Sequence, residues 1–199
     1  SVRQVRMYYV MQRETESAGK YVYFSEEPDG YDGDSWRTGS PMAPAGPMTL
    51  VMQDDRTNKL SDMLLNAADL QVYSPKLVAS LKAAGVDNIQ YFPITIVDEA
   101  TGKTRDDYRV ANILGKIACV DLENSNVSYF RGSNDIRSVE EFSLLEDRIQ
   151  PLPGQKKAPL LFRLHESEFI VIAHESVKGA LERDGITGVK FTPTNEFEG

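Results

Sequence analysis

The sequence predicts an α+β fold, a mostly antiparallel sheet with a few short helices. Runs rich in β-branched and aromatic residues recur along all 199 residues. Helical spacing is clear in only two short stretches, each followed by Gly. Near the C-terminus, two apolar runs flank a short polar turn, as a hairpin requires. The length suits one domain, 1–199, able to bury a sizeable core without disulfides or metal.

Val5, Met7, Tyr9 and Met11 alternate on one face of a first strand. A polar turn, Gln12 to Gly19, leads to a second β-prone run, Tyr21 to Phe24. Residues 25–48 then form a long acidic loop, dense in Gly, Pro, Asp and Ser. Loops of that length are usually functional or mobile. Leu50 to Met52 reads as a short strand; Leu60 to Ala68 is ambiguous, a helical turn or two being one reading. After a strand at Leu70 and Val72, Ser74-Pro75 supplies an N-cap and a proline at the first helical position. Leu77, Val78 and Leu81 make one apolar stripe, and Gly85 stops the helix.

Asn88 to Val97 reads as one long apolar strand, and residues 98–103 as a turn. Tyr108 to Leu122 is mostly extended, with a bend at Gly115. Val139 to Ile149 fits either a short helix or a strand followed by a helical turn. Leu160 to His165 and Phe169 to Ala173 pair across a turn at Glu166 to Glu168, with residue 165 facing 169. A second helix runs from about Glu175 to Arg183 and stops near Gly185; Val189 to Thr192 is the last strand. Shifted by 100 positions, 69–93 lies over 169–193, matching Leu81, Gly85 and Pro93 with Leu181, Gly185 and Pro193. A pseudo-repeat of two strand-helix-strand units would produce that pattern, as would any two such units.

The chemistry-bearing residues are sparse. One Cys, Cys119, excludes an internal disulfide framework and fits a reducing, cytoplasmic setting. It lies in an apolar run and is expected to be buried and inert. The two His, His165 and His174, share a His-Glu-Ser tripeptide. In the predicted hairpin they stand about 17 Å apart at ~3.3 Å per residue, too far to share a metal. His174 is better placed at the start of the second helix. No nucleophile-elbow, Walker or dinucleotide motif occurs. No cofactor, metal or catalytic set is expected, and the chain is not read as an enzyme. A net charge of −8 disfavours nucleic acid, and the apolar runs are too short to span a membrane. No secretory signal is seen. Tyr91, Phe92, Phe162, Phe169 and Phe191 are core candidates.

The acidic loop is the most distinctive feature. Glu26, Glu27, Asp29, Asp32 and Asp34 fall within nine residues, ahead of Trp36, the only Trp. Neither Asp29 nor Asp32 begins a calcium-binding EF-hand pattern. The run is either a solvated charge cluster or a recognition loop, in which carboxylates steer a basic partner while Tyr31 and Trp36 anchor it.

Several blocks carry a family resemblance. Residues 88–126 pair an aromatic-Pro strand (Tyr91-Phe92-Pro93) with a Tyr-x-x-x-Asn-Ile strand (Tyr108 to Ile113), then Val-Asp-Leu-x-x-Ser (Val120 to Ser125). Residues 161–193 hold a Phe-Arg-Leu strand, a helix and a Thr-Gly-Val-x-Phe segment. Together with Ser74 before the first helix, they resemble a bacterial family once filed as a domain of unknown function. It is now an immunity-protein domain of polymorphic toxin systems, number eleven in that series. The resemblance covers the last two thirds of the chain and omits the acidic loop. It implies a cytoplasmic protein that binds and neutralises a cognate toxin, with no active-site residues to carry over. A basic toxin, such as a nuclease, suits an acidic inhibitor. The competing expectation is a small-molecule-binding domain or enzyme with a pocket in the strand-rich half, lined by Tyr, Asp and Arg.

Overall fold

The computed structural model describes residues 7–15, 20–43, 46–53 and 59–199. Val5 and part of the turn before Lys20 therefore lie outside the described residues. Strands β1 (Tyr8–Arg13), β2 (Tyr23–Phe24), β3 (Thr49–Met52), β4 (Leu65–Asn66) and β5 (Val72–Tyr73) precede helix α1 (Pro75–Ala83). Next come β6 (Ile89–Pro93), β7 (Thr95–Asp98), β8 (Thr104–Arg105), β9 (Arg109–Ile113) and β10 (Lys116–Ile117). The chain ends with β11 (Asn126–Tyr129), β12 (Ile136–Glu140), β13 (Leu161–Leu164), β14 (Val171–His174), α2 (Glu175–Arg183) and β15 (Val189–Pro193). The fold is α+β with mostly antiparallel pairing.

The principal sheet has the order β10-β13-β14-β1-β15, and a second has the order β5-β9-β6. Side chains alternate across each strand, so both sheets bury two faces. On β1, Met11 enters one apolar cluster and Val10 another. On β9, Ala111 and Ile113 face the cluster shared with Met11, while Val110 faces a third. The shared cluster lies between the two sheets and takes in Leu77 and Leu81 of α1 and Val177 and Leu181 of α2. Each fully buried Leu there contributes on the order of 1.5–3 kcal/mol relative to exposure.

Local chemistry explains the helices. Ser74 caps α1, its hydroxyl oxygen accepting from the Leu77 amide at 3.1 Å, and Pro75 opens the helix. Gly85 follows at φ 92°. His174 caps α2, Nδ1 accepting from the Ser176 amide at 3.1 Å, and Gly185 follows at φ 66°. The two matching segments thus give helices of nine residues each. In each unit the flanking strands pair antiparallel with a shared central strand, β9 in one and β1 in the other.

Three elements differ from the sequence-based expectation. Residues 60–68 form no helix: the buried Asn66 amide donates to the Leu64 and Leu70 carbonyls and accepts from the Leu70 amide, so a tight turn replaces a helical ladder. The apolar run 88–97 is two strands in different sheets, split after Pro93, which has no N–H to continue a ladder. Phe169 lies in the β13–β14 turn and is 61% exposed, so it is not a core residue. Of the two readings of Val139 to Ile149, the strand followed by a helical turn holds, with a 3-10 turn at Glu146–Arg148.

Candidate functional site

The acidic loop is anchored to the body of the protein. Asp29 pairs with Thr49 through two backbone hydrogen bonds. The Tyr31 hydroxyl donates to the Ala68 carbonyl at 3.1 Å. Trp36 sits in a 3-10 turn and is 4% exposed, its ring edge-on to Phe92 at 5.2 Å. The sequence offered Trp36 as a partner anchor, but it is buried: its apolar area is spent on the core against Phe92, and Tyr31 is half-buried beside it. Burial pushes the Tyr31 hydroxyl pKa up, with Arg37 pulling the other way.

Farther along, the loop is held by the family-like strand pair. Buried Asn112 donates to the Ser40 carbonyl and to the Gln90 side chain, both at 2.9 Å. Gln90 in turn accepts from the Met42 amide at 2.8 Å. The Gly115 amide donates to the Gly39 carbonyl at 2.8 Å. The sequence flagged Asn112 through its motif, yet only the docked loop reveals its task. The Tyr108 hydroxyl of that motif donates to the Ser61 carbonyl at 2.9 Å. Thr187, from the C-terminal motif, hydrogen-bonds Asp62 through backbone and side chain at 2.9 and 3.0 Å.

With its aromatics turned inward, the loop turns its carboxylates outward. Glu26, Glu27, Asp29, Asp32 and Asp34 are all exposed. Asp34 pairs with Arg37 at 3.1 Å and Asp32 accepts from the Ser35 hydroxyl at 3.0 Å. Such exposed contacts add little stability. The arrangement gives a run of exposed negative charge on an anchored backbone.

The remaining sequence candidates are Cys119, His165 and His174. Among the described residues, no group of three or more His, Cys, Asp or Glu is placed to hold a metal ion. Cys119 is fully buried; burial, then the Glu166 charge, pushes its thiol pKa up to about 12. His165 is exposed at the end of β13, while His174 is committed to its cap. No helix among the described residues is long and apolar enough to cross a membrane.

A family model for an immunity protein family (Imm11) matches residues 3–196. The chain belongs to that family. The matched span includes the acidic loop, which the sequence motifs alone did not cover. No curated protein matches this Imm11 chain. Its motif residues serve architecture: Asn112 docks the loop, and Thr187 ties the C-terminal unit to Asp62.

Proposed function

We propose that this immunity-family protein acts in the cytoplasm, binding a cognate toxin and neutralising it by occupying its surface, without cofactor. The observation that carries the reading is the family match over nearly the whole chain. We place Glu26, Glu27, Asp29, Asp32 and Asp34 in the contact surface. Their exposure on an anchored loop supports this, because a preordered charged row loses little entropy on binding. A net charge of −8 favours a basic toxin, such as a nuclease, through faster encounter.

The test is to purify the product of the neighbouring toxin gene and measure association by stopped flow across a salt series. Replacing the five acids together by Gln or Asn should slow association about ten-fold at low salt and flatten its salt dependence. Unchanged kinetics would remove the loop from the contact while leaving neutralisation standing. Failure to bind any neighbouring toxin would overturn the reading itself.

A further inference from the structure

Strand β14 accompanies β1 only as far as Met11, which pairs with Val171. Strand β1 itself continues to Arg13 against β15. The chain turns away at Ser167 to Ile170, so a notch opens beside Gln12 and Arg13. It forms a cleft of about 390 Å³, within the size range of small-molecule sites.

The lining runs against the charge of the whole molecule. In a chain of net charge −8, the cleft gathers Arg13, Arg137 and Lys190 around the Asp69 carboxylate and the main chain of Gly199, the last residue of the sequence. Asp69 is engaged by the Arg13 Nε at 3.4 Å, which makes it a poor receptor for a cationic ligand; the Arg13 Nη1 donates to the Asn66 carbonyl, leaving Nη2 to face the cleft. Ser138 and Ser167 add hydroxyls. Behind this wall stands Arg163, 2% exposed. Its Nη1 donates to the Glu168 carbonyl at 2.8 Å, and its Nε has no partner among the described residues. A buried guanidinium with an unspent donor keeps the region electropositive. Phe169 stands at the rim, 61% exposed, with the Arg37 guanidinium 4.5 Å from its ring centroid. An exposed aromatic ring beside converging cations suits a ligand with a flat apolar part and an anionic head.

We propose that this cleft binds a small ligand bearing a carboxylate or phosphate, its oxyanion held by Arg137 with help from the remaining Nη2 of Arg13, and its apolar part resting on Phe169. Arginine recognises both oxyanions through paired N–H donors. The site meets the acidic loop only through Arg37, which stacks on Phe169 and pairs with Asp34, and its occupancy does not depend on the toxin reading.

The test is an amide chemical-shift titration of the full chain with phenyl phosphate, benzoate and uncharged benzyl alcohol. Saturable shifts at Arg13, Ser138, Ser167 and Phe169 are expected with one or both anions and not with the alcohol. Comparing the two anions separates a phosphate site from a carboxylate site. Arg137 is exposed, so Arg137→Glu should leave the spectrum folded and weaken binding about ten-fold. Asp69→Asn should strengthen it, by removing an opposing charge and freeing the Arg13 Nε. No saturable shift, an equal response to benzyl alcohol, or variants that fail to move affinity in these opposite directions would overturn the proposal.

Discussion

Asp69 sits at φ 54°, a left-handed conformation that costs a side-chain-bearing residue about 1–2 kcal/mol. The Asn66 turn imposes it, and Asn66 is fully buried. Burial raises the Asp69 pKa, with Arg13, Arg163 and Arg37 pulling it down less strongly. A carboxyl whose pKa is higher folded than unfolded stabilises the protein below the unfolded value of 3.8, and that contribution is lost as pH rises through the folded pKa. Asp69→Asn should therefore raise the thermal midpoint at pH 7, helped by the tolerance of Asn for left-handed backbone. The charge-dependent part of that gain should vanish as pH falls toward 3.8. A pH series of melting curves checks it. The caps offer a second test at this scale. His174→Ala removes the acceptor for the Ser176 amide and should cost about 0.5–2 kcal/mol in urea unfolding, while His174→Ser should retain most of it. Ser74-Pro75 and His174 could be read from sequence because a cap is set by the first turn of its own helix. The burial of Trp36 could not, because it depends on Phe92, 56 positions away, and nothing local to the loop announces that partner.

At the scale of elements, the β13–β14 hairpin shows why short-range pairing is readable. Its observed register, Leu161 with Ala173, is the one in which residue 165 faces 169, because turn length fixes register. Phe169 nevertheless left the strand: β14 begins two residues later, and the turn takes up the difference. The run 88–97 was unreadable for another reason. Hydrophobicity alone does not say which sheet a strand joins, and both β6 and β7 are apolar. Gly188, before β15, holds φ 80°, and a Cβ there would run into the Met63 carbonyl and the Ser61 side chain. Gly102, in the β7–β8 turn, has a similar φ of 69° but open space around it. Gly102→Ala should cost about 1–2 kcal/mol for its backbone alone. Gly188→Ala should cost clearly more, and should also release the Asp62–Thr187 contacts. Urea unfolding of both variants, with amide exchange at Thr187, checks the difference.

Across the whole molecule, one apolar cluster joins both helices to both main sheets. The α+β class and the two helical units followed from pattern, whereas the joining of those units rests on contacts between residues about 100 positions apart, such as the Ser80 hydroxyl donating to Asp184 at 2.6 Å. Leu81 is fully buried in that cluster. Leu81→Ala should destabilise by about 2–5 kcal/mol through the cavity it leaves. Because the cluster is shared, native-state hydrogen exchange should quicken together in β9 and β1, although Leu81 belongs to neither. Exchange confined to α1 and β5 would show that the two halves open separately.

Strand β1, among the earliest described segments of the chain, lies between β14 and β15, among the last. A ribosome adding roughly 5–20 residues per second therefore leaves Tyr8–Arg13 without its flanking strands for roughly ten to forty seconds, until Pro193 has emerged. Nascent chains that stall before that point lack the principal sheet, and the unpaired strand they expose is a natural target for holding chaperones.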